Sequence, residues 1–161
     1  MHRNRLVRSN IPIISLLISL LFLPLKSVFA TESFAMTDVD GNKHSLESEK
    51  GKWVIINYWA TWCPPCIKEI PELIIFHDKH KDKDAVVWGV NIEEIENVDL
   101  ASFRKKLKMQ YPIFVSPSKQ YTYFEPLASL PITYIMSPDG NLFKKHIGKL
   151  TALDLEKIIL Q

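Results

Sequence analysis

Cysteine is scarce in this sequence. There are two, Cys63 and Cys66, both inside "NYWATWCPPCIKEIPEL", Asn57 to Leu73. A structural zinc site usually needs a second ligand pair, and no further Cys exists to supply it. Linkers rich in Gly or Ser, internal repeats and low-complexity tracts are also missing, which leaves no sign of a second domain. Acidic residues are missing from the first thirty positions, which hold Arg3, Arg5, Arg8 and Lys26. Without that segment the chain has 16 basic and 18 acidic residues. Nothing in that balance points to nucleic acid or an anionic membrane surface as a partner.

The opening segment has the marks of export. A basic start is followed by the apolar run "IPIISLLISLLFLPL", Ile11 to Leu25, and by "SVFA", with Val28 and Ala30 as the small exit residues. This is the pattern of a secretory signal peptide over residues 1–30, with the mature domain at 31–161. An uncleaved anchor is the alternative, but the run is shorter than the roughly 20 residues that span a bilayer, and Lys26 stops its extension. No cysteine follows the run until Cys63, which excludes a lipid anchor through Cys. Export places the two cysteines in an oxidising compartment.

The chain is 47% hydrophobic and 24% charged, so it can build a core without a disulfide. A Cys-x-x-Cys bridge also closes too small a loop to stabilise much as a staple. Along the chain, "SFAMTDVDGNKHSL" reads as a hairpin, with Asp40-Gly41-Asn42 at its turn. "WVIINYWA" and "AVVWGVNI" are β-branched and aromatic with little alternation, as strands buried on both faces are. "PPCIKEIPELIIFHDKHKD" is helical, with Ile67, Ile70, Leu73, Ile74 and His77 on one side and a kink expected at Pro71. Glu93 to Asp99 reads as loop, and Asp99 as the N-cap of the helix "DLASFRKKLK". "YPIFVS", "PITYIM" and "NLFKKHI" are further strands, and Thr151 caps a last helix. A short helix is expected between the first two of these. The order predicts an α/β fold around a largely buried sheet.

Cys63 falls where a buried strand meets a helix start. There the helix dipole and free N–H groups favour thiolate. Pro64 and Pro65 suit a first turn, where a missing N–H costs nothing. Cys66 lies one turn deeper on the same face. Cys63 is therefore expected to be the exposed nucleophile and Cys66 the shielded resolving thiol of a redox couple. His44, His77, His80 and His146 are weighed as metal ligands, but "HDKH" reads as a solvated helix end. Trp59 and Trp62 are read as apolar surface flanking the site, with packing as the alternative for both. Pro131 opens a strand, and local sequence alone assigns no cis bond to it.

"DVDGNKHSL", "GKWVIINYWATWCPPCIKEIPEL", "VVWGVNIEE", "YPIFVSP" and "LPITYIMSPDGNLFKKHIGKLTALDLEKII" occur in the order of the TlpA/ResA-like branch of the thioredoxin superfamily. The resemblance covers Ser33 to Leu160. It implies a thioredoxin-like fold, with a central mixed β-sheet flanked by helices and an N-terminal hairpin. It implies an exported, periplasmic thiol–disulfide oxidoreductase, soluble or tethered, with a Cys63–Cys66 disulfide and no cofactor or metal. Reduction of protein disulfides by a monomer is implied, with apocytochrome c among the candidate substrates and a membrane thiol donor upstream. Pro131 is then cis beside the Cys pair, and Leu130 offers its backbone to substrate, with Trp62, Pro64 and Pro65 beside it. Glu94 is the acid that tunes the cysteines, with Glu93 as the neighbouring alternative. Asn57 departs from general thioredoxins, which have a buried Asp there, so that strand supplies no carboxylate. Two other readings use the same pair: a copper chaperone with Cys63, Cys66 and a histidine, and a thiol peroxidase.

Overall fold

A computed structural model describes residues 34–94, 97–117 and 122–161, so the expected signal segment, residues 1–30, lies outside it. The two apolar runs form the sheet's centre. They are β3, Trp53–Trp59, and β4, Ala85–Asn91, with β4 buried throughout. They pair in parallel, Trp53 opposite Ala85 and Trp59 opposite Asn91. A parallel pair needs a crossover, and α1, Pro64–His80, provides it. A second crossover through α2, Asn97–Leu107, brings β5, Ile113–Val115, parallel to β4. On the other side of β3, β6 (Ile132–Met136) and then β7 (Leu142–Ile147) add antiparallel. The sheet order is β5-β4-β3-β6-β7, which is the mixed sheet expected. The last helix, α3, Ala152–Ile159, packs on α1. Its N-terminus is a full capping box, Thr151 with Asp154.

The hairpin forms a separate two-stranded sheet, β1 (Ala35–Thr37) with β2 (Lys43–Ser45). Its turn is organised by Asp38 rather than by Asp40-Gly41-Asn42 alone. The buried Asp38 carboxylate accepts from the N–H groups of Asp40 (3.0 Å) and Asn42 (2.8 Å) and from the Asn42 amide (3.1 Å). Val39 N–H then donates to the Ile113 carbonyl at 2.8 Å and ties the turn to the edge of β5.

Other expectations are corrected in detail. The buried stripe of α1 is Cys66, Glu69, Ile70, Leu73, Phe76 and His77, so Ile67 and Ile74 sit at its margin. Glu69 belongs to it because the stripe repeats at three and four residues from Cys66, whatever the charge at each position. Pro71 lies inside the helix without ending it. Helix α2 begins at Asn97, which moves Asp99 from the cap into the first turn. Between β5 and β6 no helix occurs among the described residues. Instead the Thr122 hydroxyl accepts from the N–H groups of Phe124 (3.2 Å) and Glu125 (3.0 Å). Tyr134 donates to Glu125 at 2.7 Å, and Tyr58 accepts from Tyr123 N–H at 2.9 Å, so this segment is fastened to the sheet.

Gly89 sits where the core leaves no room for a side chain. A Cβ added there would meet Ile113 Cδ1 and Tyr111 Cε2, each at 2.9 Å. Both residues are fully buried and have little room to yield. Gly89→Ala should therefore lower the unfolding free energy by roughly 1–3 kcal/mol, read as a lower urea midpoint at unchanged slope. An unchanged midpoint would mean that the Tyr111 ring has space to shift.

Candidate active site

β3 ends in a turn that delivers the first cysteine. Cys63 N–H donates to the Ala60 carbonyl at 3.2 Å. Cys63 is the N-cap of α1, and Pro64 and Pro65 fill the next two positions. Neither proline has an N–H. The first amide of the helix able to point back is therefore Cys66 N–H, and it donates to Cys63 Sγ at 3.3 Å. Cys63 and Cys66 form a disulfide, with Cα atoms 5.3 Å apart.

A cleft of about 780 Å³ opens beside Cys63. Trp62, Cys63, Pro64 and Pro65 form one side, and Leu127 to Leu130 face them. Ile92, Glu93 and Glu94 complete the wall. The Leu130–Pro131 peptide is cis. Pro131 is buried beneath this rim, where its carbonyl accepts from Gly148 N–H at 2.9 Å. The structure thus gathers Trp62, Pro64, Pro65, Leu130 and Glu94 around Cys63, while Cys66 lies behind it.

Cys63 is less open than expected. It is 4% exposed, against 1% for Cys66, because the disulfide and the flanking side chains cover it. What distinguishes the two is that Cys63 alone lines the cleft. The tryptophans also separate: Trp62 is 65% exposed, whereas Trp59 is core and stacks on Phe103. Glu94 is an exposed side chain of the cleft wall, and Glu93 is half-buried against the loop before Cys63.

One site residue was missed. Glu69 is fully buried, three residues after Cys66 on the same stripe of α1. Its carboxylate accepts from Leu150 N–H at 2.8 Å and from the Asn57 amide at 3.1 Å. Asn57 also donates to Thr133 at 3.0 Å. The strand position that lacks a carboxylate therefore serves as donor to one on the helix. Burial pushes the Glu69 carboxyl up to about 7, against the pull of the Leu150 N–H, the Asn57 amide and the Lys149 charge. The signal available in the sequence was its spacing, i+3 from Cys66 and i−4 from Leu73.

The histidines have other partners. His77 is buried, not solvated; its Nδ1 accepts from Val87 N–H at 3.1 Å, and burial lowers its pKa to about 4. His80 stacks on Phe76 and pairs with Asp84, and His44 pairs with Asp38. Among the described residues, no three of His, Cys, Asp and Glu converge as a metal site would require.

Comparison with known proteins agrees with this geometry. The model of the AhpC/TSA family matches residues 30–145. The thiol–disulfide oxidoreductase ResA of Bacillus cereus is 31% identical over 124 residues, covering 77% of this chain and 71% of ResA. Among solved structures, StoA from Bacillus subtilis is 28% identical with a TM-score of 0.65, over 78% of this chain and 94% of StoA. The pneumococcal exposed lipoprotein thioredoxin from Streptococcus pneumoniae is 26% identical with a TM-score of 0.68, over 80% of this chain and 98% of its own.

The Glu69 environment predicts a pH dependence. Between the ordinary value of 4.5 and about 7, the folded chain keeps a proton on Glu69 that the unfolded chain has released. The associated stability is complete below pH 4.5 and is lost as pH rises through about 7. Glu69→Gln lacks this loss. The stability of the variant minus that of wild type should climb by up to roughly 3 kcal/mol between about pH 4.5 and 8. Urea unfolding of both oxidised proteins measures it, and any constant cost of the amide appears as a pH-independent offset. A flat difference would mean that Glu69 titrates normally.

Proposed function

This chain belongs to the AhpC/TSA family and is a thiol–disulfide oxidoreductase, and from that premise we propose that it is exported and reduces disulfides in other proteins. The observation that carries the reading is the placement of the Cys63–Cys66 disulfide, with Cys63 on an apolar cleft and Cys66 behind it. The cleft is large enough for an extended segment of a polypeptide, and Leu130 lines it together with Cys63.

In the reduced protein, Cys63 thiolate attacks one sulfur of a substrate disulfide. A bond forms between Cys63 Sγ and that sulfur, the substrate S–S bond breaks, and the departing sulfur leaves as thiolate and takes up a proton. Cys66, as thiolate, then attacks Cys63 Sγ. The internal disulfide forms, the mixed disulfide breaks, and the second substrate sulfur leaves and is protonated. Two electrons and two protons pass from the pair to the substrate. Glu69, one turn beyond Cys66 and titrating near neutrality, is the group placed to receive the Cys66 proton. A thiol donor at the membrane restores the dithiol.

The electrostatics favour the reducing direction. A couple is strongly oxidising when its thiolate is well stabilised. Here the two prolines leave Cys63 only one helix-start amide, that of Cys66. Carboxyl groups lie on both sides of the pair, Glu94 on the cleft wall and Glu69 in the helix stripe behind it. Negative charge near a thiol disfavours thiolate and so favours the disulfide form of this chain. Glu94→Gln should lower the Cys63 thiolate pKa; a shift in Glu93→Gln alone would transfer that role to Glu93. Export is supported by the N-terminal segment, and among the described residues no helix is long and apolar enough to cross a membrane. Apocytochrome c is the substrate this reading names first.

Two measurements test it. The reduction potential of the couple should lie nearer to about −270 mV than to about −120 mV; the second value would make the chain an oxidant. In cells, Cys66→Ser should accumulate mixed disulfides with exported proteins that collapse on reduction, and Cys63→Ser almost none. Partners carrying Cys-x-x-Cys-His would support cytochrome maturation, and many unrelated partners would support general reduction. No trapping, combined with tight copper binding or peroxide consumption by the reduced wild type, would overturn the reductase reading.

A further inference from the structure

The turn that delivers Cys63 leaves the Thr61 N–H for a partner outside the turn. Ala60 to Cys63 close the turn through Cys63 N–H, and Thr61 is its second residue. The N–H of that position plays no part in the closing bond. It is taken by a side chain from just beyond the end of β4. Glu93 Oε2 accepts Thr61 N–H at 2.5 Å, and Glu93 Oε1 accepts the Thr61 hydroxyl at 3.0 Å. Glu93 is itself held in place. Asn91 Nδ2 donates to Oε2 at 3.1 Å, and Glu93 N–H donates back to Asn91 Oδ1 at 2.8 Å. Asn91 is fully buried and ends β4, opposite Trp59 at the end of β3.

We propose that Glu93 is a positioning residue: it clamps Thr61 and thereby sets where Cys63 stands at the mouth of the cleft. This goes beyond the oxidoreductase reading and rests on it. Both carboxylate oxygens of Glu93 face the loop, whereas Glu94 is an exposed part of the wall, so the two adjacent acids do different work. Two bonds to one residue fix the orientation of the loop as well as its distance, and charge-assisted bonds of this kind are the strong ones. The geometry matters because thiol–disulfide exchange needs the attacking sulfur in line with the bond it breaks. Small misplacements of a reacting group cost rate steeply.

The clamp is separable from charge. Glu93→Gln keeps an oxygen for Thr61 N–H and removes the charge, Glu93→Ala removes both, and Thr61→Val removes the hydroxyl alone. Two readouts serve: hydrogen exchange of the Thr61 amide, and the pH-independent rate of reduced protein with a small aromatic disulfide. Glu93→Ala should speed exchange of the Thr61 amide and slow the reaction with the disulfide, each by roughly tenfold or more, leaving exchange of the β3 and β4 amides unchanged. Glu93→Gln should stay within about threefold of wild type in both, and Thr61→Val should fall between. Adding Thr61→Val to Glu93→Ala should cost nothing further, because the partner is already gone. Wild-type values in Glu93→Ala overturn the proposal, as does an equal loss in Glu93→Gln, which would make charge the cause. If Glu93→Ala fails to fold, Thr61→Val and Glu93→Gln decide, and an unaltered Thr61→Val overturns it. A wild type that exchanges with no disulfide would sink the oxidoreductase reading, while Thr61 amide protection would still report on the clamp.

Discussion

β3 is paired on both sides, parallel to β4 and antiparallel to β6, and the site depends on that constraint. Parallel pairing forces the chain to leave β3 through a helix lying on the sheet, so the β3–α1 junction has one place to be. Antiparallel pairing with β6 sets Ile132 opposite Tyr58 and so brings the Leu130–Pro131 peptide to the same end. The last residues of β4 arrive there as well, with Glu93 and Glu94 just beyond them. Three segments distant in sequence are thus gathered around Cys63 by backbone pairing in the interior of the sheet.

The electrostatics of that end are a balance of opposed effects. The start of α1 offers positive potential to Cys63, but two prolines reduce its amide donors to Cys66 N–H. Acidic groups work in the other direction. Each is handled differently: Glu69 is buried and hydrogen-bonded, Glu93 is engaged with Thr61, and Glu94 lies on the open wall. Three carboxyls near one sulfur pair are tolerable because they stand in settings of different burial.

Much of this was legible in the sequence. The unbroken apolar runs of β3 and β4 announce buried strands, Thr151 announces a helix start, and the Cys pair with its prolines announces the redox centre. The rest depended on facts that no local pattern carries. Glu69 is absent from the apolar stripe because hydropathy does not single out a carboxylate, although its spacing from Cys66 and Leu73 puts it inside. The polar "HDKH" stretch reads as a solvated helix end, yet His77 is buried on the side of the helix where the apolar spacing puts it. The Glu93–Thr61 contact joins residues 32 positions apart and exists only because β3 and β4 end side by side. Asp38 organises the hairpin through a carboxylate that turn composition alone does not single out.

Asn57 has a consequence for sequence variation. Its amide gives one hydrogen to Glu69 and one to Thr133, and it has no others to give. An aspartate there would donate nothing when ionised and would face Glu69 across a buried hydrogen-bond distance. The two acids would then share one proton and titrate as a pair, with neither holding its own value. Positions 57 and 69 are in effect a single acid site with two addresses. A chain of this architecture that acquires the acid on the strand has reason to lose it from the helix, and substitution at either position is best judged by what occupies the other.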